Sequence, residues 1–302
     1  MRRPLLHIGF HKSGSTTLQE ALFSRHSQVA NLGEPVENPD ALAAMRNAWE
    51  ACCDDATLRT PFKLEYSQSL WRKALENVPP EKLPVFSKER LTRFGYCGAP
   101  DCLPAKLHAI VGPAQIVIVI RNQIKLIESL YYAKTDGDMT PDRWRTAETE
   151  GPQNRDRFHV YRYHAFAKAY ADVFGRENVG IFMLEELATD VESFARKLCN
   201  FIGIDGDEGS RLLRNKRLHS RTSQRGLAYA KLRSVVGRNI HLGVYAPKIL
   251  VQVFSNFLSR GKPVAVELPR DWIEHLKSFY RTENARLAAE WGLPLQEYGY
   301  PL

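Results

Sequence analysis

Gly9-Phe10-His11-Lys12-Ser13-Gly14-Ser15-Thr16-Thr17 stands between an apolar run, Leu5 to Phe10, and a stretch with helical spacing, Thr16 to Phe23. The run is short and closes on a turn bearing Gly and Ser, the signature of a buried parallel strand. The following stretch is apolar at Leu18, Ala21 and Leu22. Strand, loop and helix in that order make the loop an anion site. Backbone N–H groups at the helix start point outward, and the helix dipole favours negative charge. Gly14 allows the backbone to approach a phosphate closely.

The spacing of Gly9 and Gly14 matches the phosphate-loop pattern GxxxxGK[ST], but Ser15 stands where that pattern has lysine. The lysine lies inside the loop instead, at Lys12. An enzyme acting on a nucleoside triphosphate places its lysine on the β- and γ-phosphates and a hydroxyl on magnesium. This loop lacks the first, and no metal carboxylate is evident to support the second. A donor with one 5′-phosphate carrying a sulfuryl group has other needs. A lysine within the loop reaches the bridging oxygen where charge develops, and no metal is required. Four hydroxyls, on Ser13, Ser15, Thr16 and Thr17, add to the phosphate reading.

Outward from the loop, strand and helix alternate. Pro84 to Ser87 predicts a second strand, and Ile116 to Ile120, five β-branched residues in a row, predicts a central strand covered on both faces. Helical spacing follows through Ile124, Ile127 and Tyr131. Residues 35–82 read as short helices and loops, and residues 134–156 as a surface loop. A helix is expected from Phe158 to Phe174, closed by Gly175, and a strand over Val179 to Phe182. Asp190 is the expected N-cap, and Gly203 the expected C-cap, of a helix through Ile202. A last helix is expected over Leu268 to Trp291, closed by Gly292. The expected fold is α/β, a parallel central sheet with helices on both faces, in a P-loop-like three-layer sandwich spanning residues 1–302 as a single domain.

The chain has 302 residues, with 44% hydrophobic and 25% charged residues, an ordinary globular composition. Its net charge of +8 suits a polyanionic ligand, a nucleotide or an anionic acceptor. The Lys and Arg are spread along the chain with no nucleic-acid motif, so nucleic acid is not the expected partner. Five cysteines, Cys52, Cys53, Cys97, Cys102 and Cys199, have no regular spacing and read as free thiols of a reducing compartment. The N-terminal apolar run is too short for a signal peptide, and no stretch approaches a membrane span. These features predict a cytoplasmic protein. Oligomeric state is not legible.

His7 through Gln19 closely resembles the 5′-phosphosulfate loop of the sulfotransferase family, with Ser13 and Ser15 where threonine is usual. Ile118-Val119-Ile120-Arg121-Asn122 through Glu128-Ser129-Leu130-Tyr131-Tyr132 resembles that family's 3′-phosphate motif, with Gln123 where many members have proline. Ser129 follows Arg121 by just over two helical turns, and a guanidinium fork with a hydroxyl suits a phosphate monoester. Glu185-Glu186-Leu187, Asn215, the Tyr280 to Asn284 stretch and Gly299-Tyr300-Pro301 fall in the family's order. The resemblance implies 3′-phosphoadenosine 5′-phosphosulfate as donor and 3′-phosphoadenosine 5′-phosphate as product, with no metal. It implies donor contacts from Lys12, Ser13, Gly14, Ser15, Thr16 and Thr17, and a 3′-phosphate held by Arg121 and Ser129.

The basic stretch Arg214-Asn215-Lys216-Arg217 either closes over the donor, through Arg214 and Arg217, or is a solvated charge run. Arg260-Gly261-Lys262 has a lesser claim to the same role. Glu89 follows a strand end that should open onto the cleft, where the family places a His or Glu as base. Catalytic expectations therefore rest on Lys12, with Glu89 ranked first as base and His11 second. His7, inside the strand, is expected to be a satisfied core residue. The expected acceptor is a carbohydrate or glycolipid hydroxyl. A phosphate-loop kinase and a non-catalytic nucleotide- or nucleic-acid-binding protein remain as alternatives.

Overall fold

The computed structural model describes residues 2–52, 59–92, 102–135, 140–149, 157–214 and 268–302. Cys53, Cys97, Asn215, Arg217 and the Arg260-Gly261-Lys262 stretch lie outside the described residues. The chain divides into two compact units. One comprises Met1–Gln123, Arg157–Leu218 and Ser278–Leu302, the other Ile124–Asp156 and His219–Lys277.

The first unit is built on five parallel strands: β1 (Leu5–Gly9), β2 (Val29–Asn31), β3 (Leu83–Ser87), β4 (Gln115–Ile120) and β5 (Val179–Met183). Their order is β2-β3-β1-β4-β5, so β1 is central. Leu5 lies opposite Val85 and Gln115, His7 opposite Ser87 and Val117, and Gly9 opposite Val119. All five residues of β1 are buried, the expected state of a strand covered on both faces.

Among the described residues the helices in chain order are α1 (Ser15–Thr17, continuing as a π-helical turn over Leu18–Phe23), α2 (Pro39–Glu50), α3 (Leu64–Leu75), α4 (Cys102–Val111), α5 (Gln123–Thr135), α6 (Pro141–Thr149), α7 (Tyr163–Phe174), α8 (Leu184–Thr189), α9 (Val191–Ile202), α10 (Gly206–Arg214) and α11 (Arg270–Trp291). Side chains alternate across each strand. Leu5, Val85, Val117, Val119 and Phe182 share one core with Leu18 and Leu22 of α1 and Phe194 and Leu198 of α9. Leu6, Ile8, Phe86, Ile116 and Ile118 are buried with the opposite parity. On that face α7 packs against β4, β5 and α4. The unit is thus a sheet between two helical layers, as the alternation of strand and helix predicts.

Local signals explain most boundaries. Asp190 caps α9 by accepting from the Ser193 amide at 2.9 Å, and Gly203 ends it in the left-handed region at φ 71°. Asn38 caps α2 through the Ala41 amide at 3.0 Å, with Pro39 at the first position. Two expectations are corrected. The predicted loop over 134–156 contains α6, whose start is marked by Thr140: its hydroxyl accepts from the Arg143 amide at 3.3 Å. In the second unit Trp144 of α6 is buried between Tyr131 and Trp272, with ring centroids 5.5 and 5.7 Å away. One aromatic anchor thus outweighs a polar composition. The predicted helix from Phe158 is instead a 3-10 turn over Arg157–Tyr161, a break at Arg162, and then α7.

Candidate active site

β1 ends at Gly9, and the chain turns through Phe10 to Gly14 before α1 begins. The Ser13 amide closes the turn on the Phe10 carbonyl at 3.1 Å. A Cβ at Gly9 would stand 2.1 Å from Ser15 Oγ and 3.1 Å from Ser15 Cβ, so a larger residue there would have to displace the Ser15 side chain. Lys12 and Gly14 both have left-handed backbones, with φ 64° and 84°. Glycine adopts this freely, whereas an L-residue such as lysine is strained by roughly 1–2 kcal/mol. The Lys12 carbonyl in turn accepts a 2.9 Å hydrogen bond from Arg121 Nη1.

The loop presents groups suited to an anion. No side chain caps the first amides of α1. Ser13 is fully buried, and its hydroxyl has no hydrogen-bond partner among the described residues, an arrangement that costs roughly 1–3 kcal/mol unless a ligand answers it. Lys12 is exposed at the tip, and no described carboxylate pairs with it. Ser15 and Thr17 are buried and Thr16 half-buried at the helix start. Among the described residues, no group of three or more His, Cys, Asp or Glu side chains could hold a metal ion.

The two candidates for the base touch each other. His11 Nδ1 lies 2.7 Å from Glu89 Oε2, with the imidazole half exposed and the carboxylate about a quarter exposed. Glu89 opens a 3-10 turn directly after β3, fixed by Thr92 Oγ1 donating to the Glu89 carbonyl at 2.8 Å. The Lys88 amide donates to the His7 carbonyl at 3.3 Å, which carries the β3–β1 pairing to the edge where Glu89 stands.

A buried polar chain lies beneath this pair. His7 Nδ1 is 2.6 Å from Ser87 Oγ, which also accepts from Gln19 Nε2 at 3.0 Å. Gln19 Nε2 donates to Glu34 at 3.1 Å, and Lys88 Nζ donates to Glu34 at 2.6 Å and to Glu37. His7 is only half satisfied, because its buried Nε2 has no partner among the described residues. Burial holds its pKa down at about 4, against the opposing pull of the Glu89 charge. His7 is therefore a neutral core residue at ordinary pH. Burial of Lys88 pulls its pKa down, but its bonds to Glu34 and Glu37 outweigh this and raise it. Reading the sequence missed Gln19, Ser87 and Lys88 as a network; their signal was position, since each follows or faces a strand end.

The end of β4 is braced from several directions. The Tyr163 hydroxyl donates to the Arg121 carbonyl at 2.7 Å. The Asn122 amide donates to Glu185 Oε1 at 3.0 Å, and Glu185 Oε2 accepts from the Tyr300 hydroxyl at 2.9 Å. Asn122 Nδ2 donates to the Gly299 carbonyl at 2.6 Å. Gln123, fully buried, exchanges hydrogen bonds with Asn284 at 2.7 and 3.2 Å, and Asn284 also donates to the Pro301 carbonyl at 2.9 Å. Gln123 thus shapes the turn. The scattered residues that merely followed the family's order, Glu185, Asn284 and Tyr300, converge on the turn that carries Arg121. Ser129 is half-buried on α5 in the second unit. Arg214 donates to Glu192 at 2.6 Å on the surface.

The family model described as the Sulfotransferase family matches residues 4–208. A sulfotransferase from Alicyclobacillus acidocaldarius has a similar structure, with a TM-score of 0.60 and 17% sequence identity, covering 99% of each chain. The sulfotransferase domain from the curacin biosynthetic pathway matches with a TM-score of 0.44 and 14% identity over 72% of this chain and 79% of that one. Mouse sulfotransferase SULT7A1, solved in complex with PAP, matches with a TM-score of 0.37 and 13% identity over 71% of this chain and 64% of that one. No curated protein matches the sequence. The family match spans the phosphate loop, Glu89, Arg121 and Ser129, about two thirds of the chain, and with it the chain belongs to the Sulfotransferase family.

Proposed function

We propose that this sulfotransferase takes the sulfuryl group of 3′-phosphoadenosine 5′-phosphosulfate and passes it to a hydroxyl of a carbohydrate or glycolipid. The observation that carries the donor reading is the loop itself: an exposed Lys12 at the tip, above a buried Ser13 hydroxyl with no partner. In this reading the 5′-phosphate rests on Ser13, Gly14, Ser15, Thr16 and Thr17. Arg121 and Ser129 hold the 3′-phosphate, and Arg214 turns to the donor, which requires it to leave Glu192.

The acceptor oxygen attacks sulfur in line with the bridging oxygen. A sulfur–oxygen bond to the acceptor forms as the one to the 5′-phosphate breaks, and its electron pair stays on the phosphate. Lys12 and the loop amides meet that charge in place, without reorganisation. The hydroxyl proton passes to the His11–Glu89 pair, whose 2.7 Å contact lets a carboxylate support a developing imidazolium. Residues 1–302 act as one sulfotransferase domain, in the cytoplasm.

The test is transfer from labelled donor to a panel of sugars, glycolipids, phenols and amines, run in EDTA. Label on a carbohydrate hydroxyl is expected. Lys12→Ala should lower turnover at least about 10²-fold with an unchanged melting temperature. Phosphoryl transfer from a nucleoside triphosphate that requires magnesium would overturn the reading. Label on phenols or amines alone would overturn its acceptor half.

A further inference from the structure

Arg121 stands at the C-terminal end of β4, and Lys12 at the tip of the loop that follows β1, the strand beside it. The two are joined, since Arg121 Nη1 donates to the Lys12 carbonyl at 2.9 Å. That carbonyl belongs to one of only two non-glycine residues with positive φ among the described residues. A lysine released from such a geometry relaxes toward ordinary backbone angles, because nothing in its own side chain favours the left-handed region.

The anchoring end of this contact is rigid. The Arg121 carbonyl is held by Tyr163, and the next amide by Glu185, itself fixed by Tyr300. Tyr163 and Tyr300 are both buried, and the Tyr163 ring packs tilted against Phe10, the residue that begins the loop, with centroids 4.9 Å apart. The base of the loop and the arginine that reaches over its tip therefore share one support.

We propose that Arg121 is a positioning residue for the 5′-phosphosulfate loop: it holds Lys12 in its left-handed conformation, and so couples the two ends of the donor site. This rests on the reading of that loop as the 5′-phosphate site, and it adds a role independent of any contact Arg121 makes with a 3′-phosphate. A guanidinium has five N–H donors, so one can hold a carbonyl while others meet a ligand. The two roles are separable with a nucleotide that lacks the 3′-phosphate.

The experiment is calorimetric titration of the full chain with adenosine 5′-phosphate and with 3′-phosphoadenosine 5′-phosphate, for wild type, Arg121→Ala and Ser129→Ala. Arg121→Ala is expected to weaken the 5′-phosphate ligand about ten- to a hundredfold, the range of one hydrogen bond to a charged group, and the bisphosphate by more. Ser129→Ala is expected to weaken the bisphosphate alone. Hydrogen exchange without ligand gives a second readout, with faster exchange at Ser13 to Ser15 expected in Arg121→Ala. If Arg121→Ala weakens only the bisphosphate and leaves loop exchange unchanged, the positioning role is overturned while the donor reading stands. If the wild type binds neither nucleotide, both are overturned.

Discussion

His11 Nδ1 and Glu89 Oε2 are 2.7 Å apart, so a substitution at either residue removes the contact from both. In neutral imidazole, an Nδ1–H donated to Glu89 leaves the Nε2 lone pair to take a proton. Glu89→Gln and His11→Asn should each lower turnover by about 10²–10⁴-fold, and the double variant by little more than the worse single. Multiplicative losses in that cycle would show that the two act separately. His7 makes a different prediction. Its folded pKa of about 4 lies below the ordinary 6.5. Between those values the unfolded chain binds a proton that the folded chain refuses, so stability falls as pH drops through that window. The loss amounts to about 3 kcal/mol when complete. Urea midpoints from pH 7 to 4 should show a steeper decline for wild type than for His7→Asn.

At the scale of elements, the segment after β2 shows how backbone contact places charge. The Leu32 amide donates to the Val85 carbonyl at 2.8 Å and the Glu34 amide to the Ser87 carbonyl at 3.1 Å, so this segment continues to pair with β3. Between them a Cβ on Gly33 would sit 2.3 Å from the Ser87 nitrogen. Gly33→Ala should therefore destabilise by about 1–3 kcal/mol and draw Glu34 away from Lys88, read as a lower melting temperature. Gly33 was illegible in the sequence, because its constraint is another strand's backbone. β1 and β4 were legible, since a strand buried on both faces is a nearly unbroken apolar run, interrupted here only by His7 in β1 and Gln115 in β4. The cap of α9 was legible because it is local. α6 was missed because Trp144 gains its burial from Trp272, far along the chain. The loop between β1 and α1 could be read from its spacing, and the position of Glu89 from its strand end. The His11–Glu89 contact and the Arg121–Lys12 hydrogen bond join segments on different strands, and no local pattern encodes them.

Across the whole molecule, the parallel order β2-β3-β1-β4-β5 brings the C-terminal ends of all the strands to one edge. The loop after β1, Glu89 after β3, and Arg121 after β4 thereby meet without any of them being close in sequence. The support behind Arg121 reaches further still, since Asn122 is bonded to the carbonyl of Gly299, 177 residues downstream. Contacts of such separation close late in folding, because the chain entropy of a large loop must be overcome first. A refolding chain should therefore regain its sheet, followed by far-ultraviolet dichroism, before it regains the proposed affinity for 3′-phosphoadenosine 5′-phosphate. Simultaneous recovery of both signals would contradict this order. In the interval the protein would be structured but unable to recognise nucleotide, so added nucleotide would raise the final yield of native protein without accelerating the first phase.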